Sequence, residues 1–571
     1  MILPLSACTT GGGDAATEAS SSSCDSSTPE KETLDTEEKE TQKETVTTTV
    51  ESDGRDETVQ ETEGDKEDEK DMEKIVNEST VIKAGNTYAL IGGKRTAVFK
   101  DAEAPFIKDG KLYVSTFFLM DELDVYADSA DVVKKGNLSF APIDLAEEYD
   151  LYVLYSAEHE TAIISSEPLE FGSDTEKREF ARLAVNTFAL AGGVSASFKG
   201  DRPVLFITDE MLESAKNGMT LGNASLTYSY NDVKNKADTA LISGPNPDTG
   251  ASATAYRLAA CADLINAHYL AVAYRTSGDS KYLNGALSYL LAYAEPMLGT
   301  DEYLDYSAPK GDGQADIGLN IAAPLTTACE VYALIYNDVS EADKATIENW
   351  IKVEAALVIK GHEYWIENKY YDSQFGNNHL TSHLMGIVAA ALVLQDDELL
   401  EYALSPEKNP ACFSEMINRG ILMEGDDTWV GDTDADFRNG EIYDRYRVVQ
   451  NNGFGYSMYH LKFMTHTSLM LYNNGVDYFS YFGNNGENMK LSFEVYTDYL
   501  IQNDSTLHGG HYTGNGLNRE NAYSMYLIAN LIYNDEDIKA VIDAFEAQNV
   551  PCKEVELFGC ISPYIFYIDR N

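Results

Sequence analysis

From about Asp174 to the C-terminus, apolar residues recur three or four positions apart. Over residues 255–274, Leu258, Ala262, Ile265, Tyr269 and Val272 fall on one stripe, the mark of a helix with a buried face. The stripe stops at Thr276-Ser277-Gly278-Asp279, where Gly278 can close one helix and Asp279 or Ser280 can cap the next, expected over 281–293. The same periodicity predicts helices over 322–336, 341–358, 380–394, 459–472 and 521–533. Short turns join them and no strand pattern intervenes. Helix after helix of this kind predicts an α/α toroid or solenoid over residues 174–571.

Residues 78–171 read differently. Short runs rich in strand formers, Tyr88-Ala89-Leu90-Ile91 and Leu112-Tyr113-Val114, are echoed by Asn137-Leu138-Ser139-Phe140-Ala141-Pro142, Asp150-Leu151-Tyr152-Val153-Leu154-Tyr155 and Thr161-Ala162-Ile163-Ile164. Each block has strands and a short helix, which suggests a small β-rich (α+β) module with an internal repeat. It resembles the stalk domain, related to the N-terminal domain of copper amine oxidases, that precedes catalytic domains in Gram-positive surface proteins. Ala141-Pro142-Ile143 lacks the arginine of that family's Pro-Leu-Arg signature. The resemblance implies a spacer or wall-contact role without copper chemistry.

Residues 9–77 are Ser, Thr, Glu, Asp and Lys with almost no aromatics, as in the run from Glu61 to Lys74. Such a stretch cannot bury enough apolar surface to offset its ordering entropy, so it is expected to be a disordered acidic linker. The fold class expected is therefore mainly α, a toroid preceded by the β-rich module and this linker. The chain carries a net charge of −52, most of it outside the linker, which makes nucleic acid and anionic lipid poor partners.

Seven cysteines in 571 residues are too few for a disulfide scaffold. Cys261, Cys329 and Cys412 sit on apolar helical stretches and read as small core residues, whereas Cys552 and Cys560 are close enough in sequence to pair. Leu5-Ser6-Ala7-Cys8, followed by a polar stretch, looks like a bacterial lipobox. That resemblance makes residues 1–8 a short signal segment and Cys8 the lipidated residue. The expectation is an exported, monomeric surface lipoprotein held to the bacterial membrane by Cys8, with no cofactor.

Two segments set reactive residues at helix starts. Gly376-Asn377-Asn378-His379-Leu380-Thr381-Ser382-His383 opens an apolar helix, and Asp444-Arg445-Tyr446-Arg447 leads into Tyr456-Ser457-Met458-Tyr459-His460-Leu461. In a toroid, such starts converge on one mouth. Asn377-Asn378-His379, Arg447 and Tyr456-x-x-Tyr459-x-Leu461 resemble, in order and approximate spacing, the signature of the alginate lyase family, whose catalytic domain is an α/α toroid. The Arg447 to Tyr456 interval is about two residues longer than in that family, which keeps Arg445 as an alternative. Arg202-Pro203-Val204-Leu205-Phe206-Ile207-Thr208 looks like the opening strand of alginate lyase and heparinase toroids. The resemblance spans roughly residues 200–571 and implies cleavage of a uronic-acid polysaccharide.

β-Elimination on such a polymer removes the C5 proton beside a carboxylate and expels the C4 oxygen. An Asn amide and a His ring can hydrogen-bond the carboxylate and its enolate-like successor, the task assigned to Asn378 and His379, with His379 as an alternative base. A tyrosine can move protons if a cation favours its phenolate, which gives that role to Tyr456 and the tuning or carboxylate-holding role to Arg447. Further substrate contacts are expected from Asn377, Tyr459, Arg445, the sugar-stacking Trp429, Asn320 at the end of the Gly311–Asn320 loop, and His511 in His508-Gly509-Gly510-His511. Arg445, Arg447 and Lys462 would form a local positive patch for a polyanion. His379 and His383 have zinc-ligand spacing but no evident third ligand, so no metal is expected and His383 is read as supporting or core. Two other functions fit less well: a hydrolase using pairs drawn from Asp426, Asp427, Asp432, Asp434 and Asp436, and a non-catalytic glycan-binding protein.

Overall fold

A computed structural model describes residues 72–550, apart from 73, 77, 129–131, 158, 192–195, 197–199, 248–251, 300–315, 369–376, 427–436, 445–452, 482, 484–485, 509–511, 513–516 and 518. Cys8, Cys552, Cys560 and the linker up to residue 71 lie outside the described residues; the linker's last residues are not disordered as expected, since Met72 and Lys74–Val76 are helical and Val76 is buried against Val81, Leu90 and Ile163 of the first sheet.

The first part is built from β1 (Thr80–Lys83), β2 (Tyr88–Ile91), β3 (Lys94–Ala97), β4 (Phe106–Lys108), β5 (Lys111–Ser115), β6 (Val133–Lys135), β7 (Leu138–Pro142), β8 (Tyr152–Ser156) and β9 (Thr161–Ser165). They pair antiparallel in two sheets, β3-β2-β1-β9-β8 and β4-β5-β7-β6. The repeat read from the sequence is visible in the second sheet. Hairpin β4–β5 runs into helix α1 (Thr116–Leu123), and hairpin β6–β7 runs into a 3₁₀ helix, Ile143–Tyr149. Both helical turns end on an aspartate in the left-handed region, Asp124 at φ 53° and Asp150 at φ 59°, whose backbone N–H closes the last turn.

Strands β1, β2 and β9 of the first sheet are apolar on both faces, which is why Tyr88–Ile91 and Thr161–Ile164 read as continuous runs. Ile82, Ala89, Ala162 and Ile164 face the second sheet's Leu112, Val114 and Ala141. Val81, Leu90 and Ile163 on the opposite face are covered by Phe180, Ala184 and Phe188 of helix α2 (Asp174–Ala191). Tyr88 stacks on Phe188 at 4.4 Å and donates its hydroxyl hydrogen to the Phe188 carbonyl. The helix that opens the helical part of the chain thus packs on the β-rich module.

The toroid follows as α3 (Asp209–Thr220), α4 (Ala224–Ser243), α5 (Ala253–Ser277), α6 (Ser280–Ala294), α7 (Ile317–Ile335), α8 (Glu341–Glu367), α9 (Asn378–Leu394), α10 (Asp397–Leu404), α11 (Phe413–Gly420), α12 (Gly453–Asn473), α13 (Met489–Val495), α14 (Thr497–Gln502), α15 (Arg519–Tyr533) and α16 (Glu536–Ala547). Helices α5, α7, α9 and α12 pack side by side in chain order, and α6 and α8 return along the outside. The inner helices therefore run the same way and bring their N-termini to one end. The junction of α5 and α6 forms as read: Gly278 closes α5 at φ 73°, and the Asp279 side chain accepts the Lys281 N–H.

Two expectations are corrected. Ile265, Tyr269 and Val272 are buried, but Leu258 is 52% exposed and Ala262 is also exposed. The first turns of α5 project at the mouth, whereas the helix beyond is enclosed on most sides, so one stripe does not describe it. Residues 202–208 form no strand. They dock as an extended segment whose backbone groups are met by side chains: Arg202 donates to the carbonyls of Pro203, Ile207 and Ala333, and Asn473 and Asn474 donate to those of Leu205, Phe206 and Val204. Phe206 N–H donates to Glu330 Oε2 at 3.2 Å.

Every residue of α7 is buried. Among the described residues, the segment Ile317–Asp338 alone is long and apolar enough to cross a membrane, and its apolar window lies entirely inside the protein. The core also encloses carboxyl groups. Glu354 accepts the Tyr256 hydroxyl hydrogen, and burial pushes its carboxyl up to about 8. An acid whose folded value lies above its unfolded value contributes most at low pH and loses that contribution as pH rises through the folded value. The stability advantage of wild type over Glu354→Gln should therefore shrink between about pH 5 and pH 8, by up to about 1.4 kcal/mol per pH unit. Denaturant titrations of both proteins at those pH values check this, and a pH-independent difference would mean the carboxyl is already ionised in the fold.

Candidate functional site

The start of α9 carries the densest polar arrangement at the mouth. Asn377 is its N-cap, and its side-chain oxygen accepts the N–H groups of His379 at 2.8 Å and Leu380 at 3.4 Å. The Asn378 N–H donates to Asp444 Oδ2 at 2.6 Å. Three backbone donors that a helix start leaves open are thus taken by side chains. With these donors taken, the hydrogen-bonding capacity left at this helix start lies in side chains, the Asn378 amide and the His379 imidazole among them.

Both of those residues are buried beneath the mouth. The His379 ring lies over Trp365 of α8 at 4.6 Å and 32°, and its Nδ1 is 3.7 Å from Oδ1 of Asp316, which precedes α7 and keeps 53% of its side chain exposed. Asn320, in the first turn of α7, is buried. Tyr456 and Tyr459 are half-buried in the first turns of α12, edge to face at 6.3 Å. Burial holds the Tyr459 hydroxyl above its ordinary value; Tyr456 adds to this and the positive charge of Arg257, in the second turn of α5, opposes it. Residues from the starts of four inner helices therefore meet at one end.

His383, one turn beyond His379, points into the core. Its ring packs edge-on against His362 at 5.7 Å, and burial, with His362 and His379 nearby, drives it well below the ordinary histidine value. His362 in turn pairs with the Asn409 side chain. Among the described residues no three His, Cys, Asp or Glu side chains are grouped to hold a metal. Lys462, expected in a surface patch, is only 2% exposed, and its charge acts on His466 inside α12. Helix periodicity turns that position inward. Asp426 accepts the Met423 N–H within its own turn, and His508 pairs with Asp498. Cys261, Cys329 and Cys412 are buried thiols.

Arg445, Arg447, Trp429 and His511 lie outside the described residues, as do Asp427, Asp432, Asp434 and Asp436. Asp316, Trp365 and Arg257 had no sequence signal of their own. Each meets a neighbour on another helix, a contact that spacing along the chain does not show.

The helical toroid gathers amide, imidazole and phenol groups at its inner helix starts, group types that a polysaccharide lyase can use. The family model for alginate lyase matches residues 213–507, and the chain belongs to that family. It is a carbon–oxygen lyase acting on an alginate-like, uronic-acid-containing polysaccharide, and membership selects this reading over hydrolysis and over glycan binding alone. No curated protein matches. Among solved structures, an alginate lyase from Bacteroides ovatus is 13% identical with a TM-score of 0.46, covering 62% of this chain and 99% of its own. Alginate lyase A1-III from Sphingomonas species A1 is 12% identical with a TM-score of 0.38, covering 52% of this chain and 79% of its own. A variant of alginate lyase A1-III complexed with a tetrasaccharide is 12% identical with a TM-score of 0.41, covering 57% of this chain and 86% of its own.

The cap at Asn377 can be tested directly. Asn377→Ala should cost about 0.5–2 kcal/mol of stability and lower lyase activity, because the His379 backbone loses its anchor. Asn377→Ser keeps an N-cap acceptor without adding charge beside Asp444 and should restore most of the melting temperature. Thermal denaturation of both variants beside wild type checks this.

Proposed function

We propose that Asn378 and His379 bind the carboxylate of the uronate at the cleavage site and stabilise the enolate-like state formed when its C5 proton leaves. Tyr456 transfers the proton, taking it from C5 and delivering one to the departing O4 as the C4–O bond breaks and a C4=C5 double bond forms. Arg447 supplies positive charge to the phenol or to the carboxylate. The observation that carries this reading is that Asn378, His379, Tyr456 and Tyr459 share one end of adjacent inner helices, α9 and α12, while the α9 backbone donors are already occupied. Substrate charge then falls to side chains, where it is stabilised by preoriented dipoles. Alginate is the polymer we propose, with Tyr459, Arg445, Trp429 and His511 lining the approach and the buried Asn377 and Asn320 supporting it from beneath.

Around this centre, the β-rich module acts as a spacer of the copper amine oxidase N-terminal type, and Cys8 carries the lipid that holds the protein at the bacterial surface. Its apolar strand runs and the Leu5-Ser6-Ala7-Cys8 tetrad support these assignments.

Cleavage should raise the ultraviolet absorbance of an unsaturated uronate when alginate is the substrate. His379→Ala and Tyr456→Phe should each lower kcat by about 10²–10⁴-fold with the fold intact by circular dichroism. Full turnover in both variants would reject the assigned chemistry, and turnover of another acidic polysaccharide in place of alginate would reject the polymer. Metabolic labelling with a fatty-acid analogue should mark the protein in its native host and be lost in Cys8→Ser.

A further inference from the structure

The stretch that ends at Asp444 is anchored through its backbone to two neighbouring segments. Ile442 bridges Ile421, the Leu422 N–H donates to the Glu441 carbonyl at 2.8 Å, and the Tyr443 N–H donates to the Gly420 carbonyl at 2.8 Å. Arg438 donates to the Val495 carbonyl at 2.6 Å, and the Ile442 N–H donates to the Tyr496 hydroxyl at 2.9 Å. This frame delivers Asp444 into the protein with 0% exposure. Its Oδ2 accepts the Asn378 N–H at 2.6 Å and lies 3.7 Å from Nδ1 of His460, which is also 0% exposed. His460 stands one helical turn beyond Tyr456 on α12. Its ring fills the space beside Gly420, where a Cβ would come within 2.6 Å of Nε2, so a side chain there would displace the ring.

A buried carboxylate is costly unless its oxygens are hydrogen-bonded. This one accepts a donor at a helix N-terminus, where the helix dipole also favours an anion. The geometry points to Asp444 as a positioning residue for the lyase reaction. Its carboxylate ties the Asn378–His379 start of α9 to the chain segment that ends at Asp444, and it stands 3.7 Å from His460, one turn beyond Tyr456 on α12, so that the three are packed in one register. The inference rests on the roles assigned above to Asn378, His379 and Tyr456. Asp444 touches no substrate; it sets the register between groups that do. Because misplacement of catalytic groups by about 1 Å can cost on the order of 10²-fold in rate, a loosened clamp should appear in kcat. Ground-state affinity, spread over many contacts along a polymer, should change little.

The test compares Asp444→Asn, Asp444→Ala and His379→Ala in the full-length protein on the cleaved polysaccharide. Asp444→Asn keeps the size of the side chain and one acceptor but not the charge. It should lower kcat at least about tenfold with KM within about threefold, and Asp444→Ala should lower kcat further. A folded Asp444→Asn with wild-type kcat, or with a raised KM and unchanged kcat, overturns the proposal. If His379→Ala is inactive while Asp444→Asn is fully active, only the clamp is wrong; if His379→Ala is itself active, the underlying assignment of the chemistry is wrong. Should the Asp444 variants fail to fold, His460 decides. His460→Leu should lower kcat about fivefold or more, and His460→Gln, which retains a side-chain N–H donor, should recover most of it. Wild-type kcat in both His460 variants overturns the proposal.

Discussion

Helix α7 has no exposed residue from Ile317 to Ile335, and the arrangement of the toroid follows from that enclosure. A helix surrounded on all sides can offer chemistry only at its ends, because its flanks are committed to packing. The inner helices run parallel, so the ends that open toward one mouth are all N-termini. N-termini carry unpaired N–H groups and favour negative charge, which would suit an anionic substrate. Here that option is closed at α9, since Asn377 and Asp444 occupy the backbone donors. What remains for the substrate is a set of side chains whose positions are fixed by that same internal hydrogen bonding.

This arrangement also bears on the charge problem. A protein with net charge −52 repels a polyuronate at long range, but salt screens that repulsion beyond about 8–10 Å. Recognition then depends on short-range groups at the mouth. Arg257 at the start of α5 faces Tyr459 there, while Lys462, which the sequence would put in the same patch, is consumed by the core of α12. The imidazole of His379 is held between the Trp365 ring and the Asp316 carboxylate, so its orientation is set by two neighbouring helices rather than by its own.

The β-rich module obeys a different rule. Its first sheet is covered by a second sheet on one face and by α2 on the other, so strands that carry apolar residues at successive positions are satisfied on both sides. The same double burial explains why Tyr88-Ala89-Leu90-Ile91 and Thr161-Ala162-Ile163-Ile164 were readable as strands without alternation. It also explains why α2, helical by periodicity and continuous with the toroid in sequence, belongs by packing with the sheet.

Local physics was legible in the chain itself. Apolar spacing, the Gly278–Asp279 stop and restart and the strand-rich runs of the β module all act over a few residues, and the helices and strands form close to where the sequence puts them. The order Asn378, His379, Tyr456 likewise pointed to the alginate lyase family, whose model matches residues 213–507. Tertiary structure alone decided the rest. Leu258 left its expected stripe because the first turns of α5 emerge at the mouth, and residues 202–208 took side-chain partners in place of a sheet. Asp444 meets Asn378 across 66 residues of sequence. No periodicity encodes such a meeting; it exists only because α9 and α12 lie side by side with their starts at the same end.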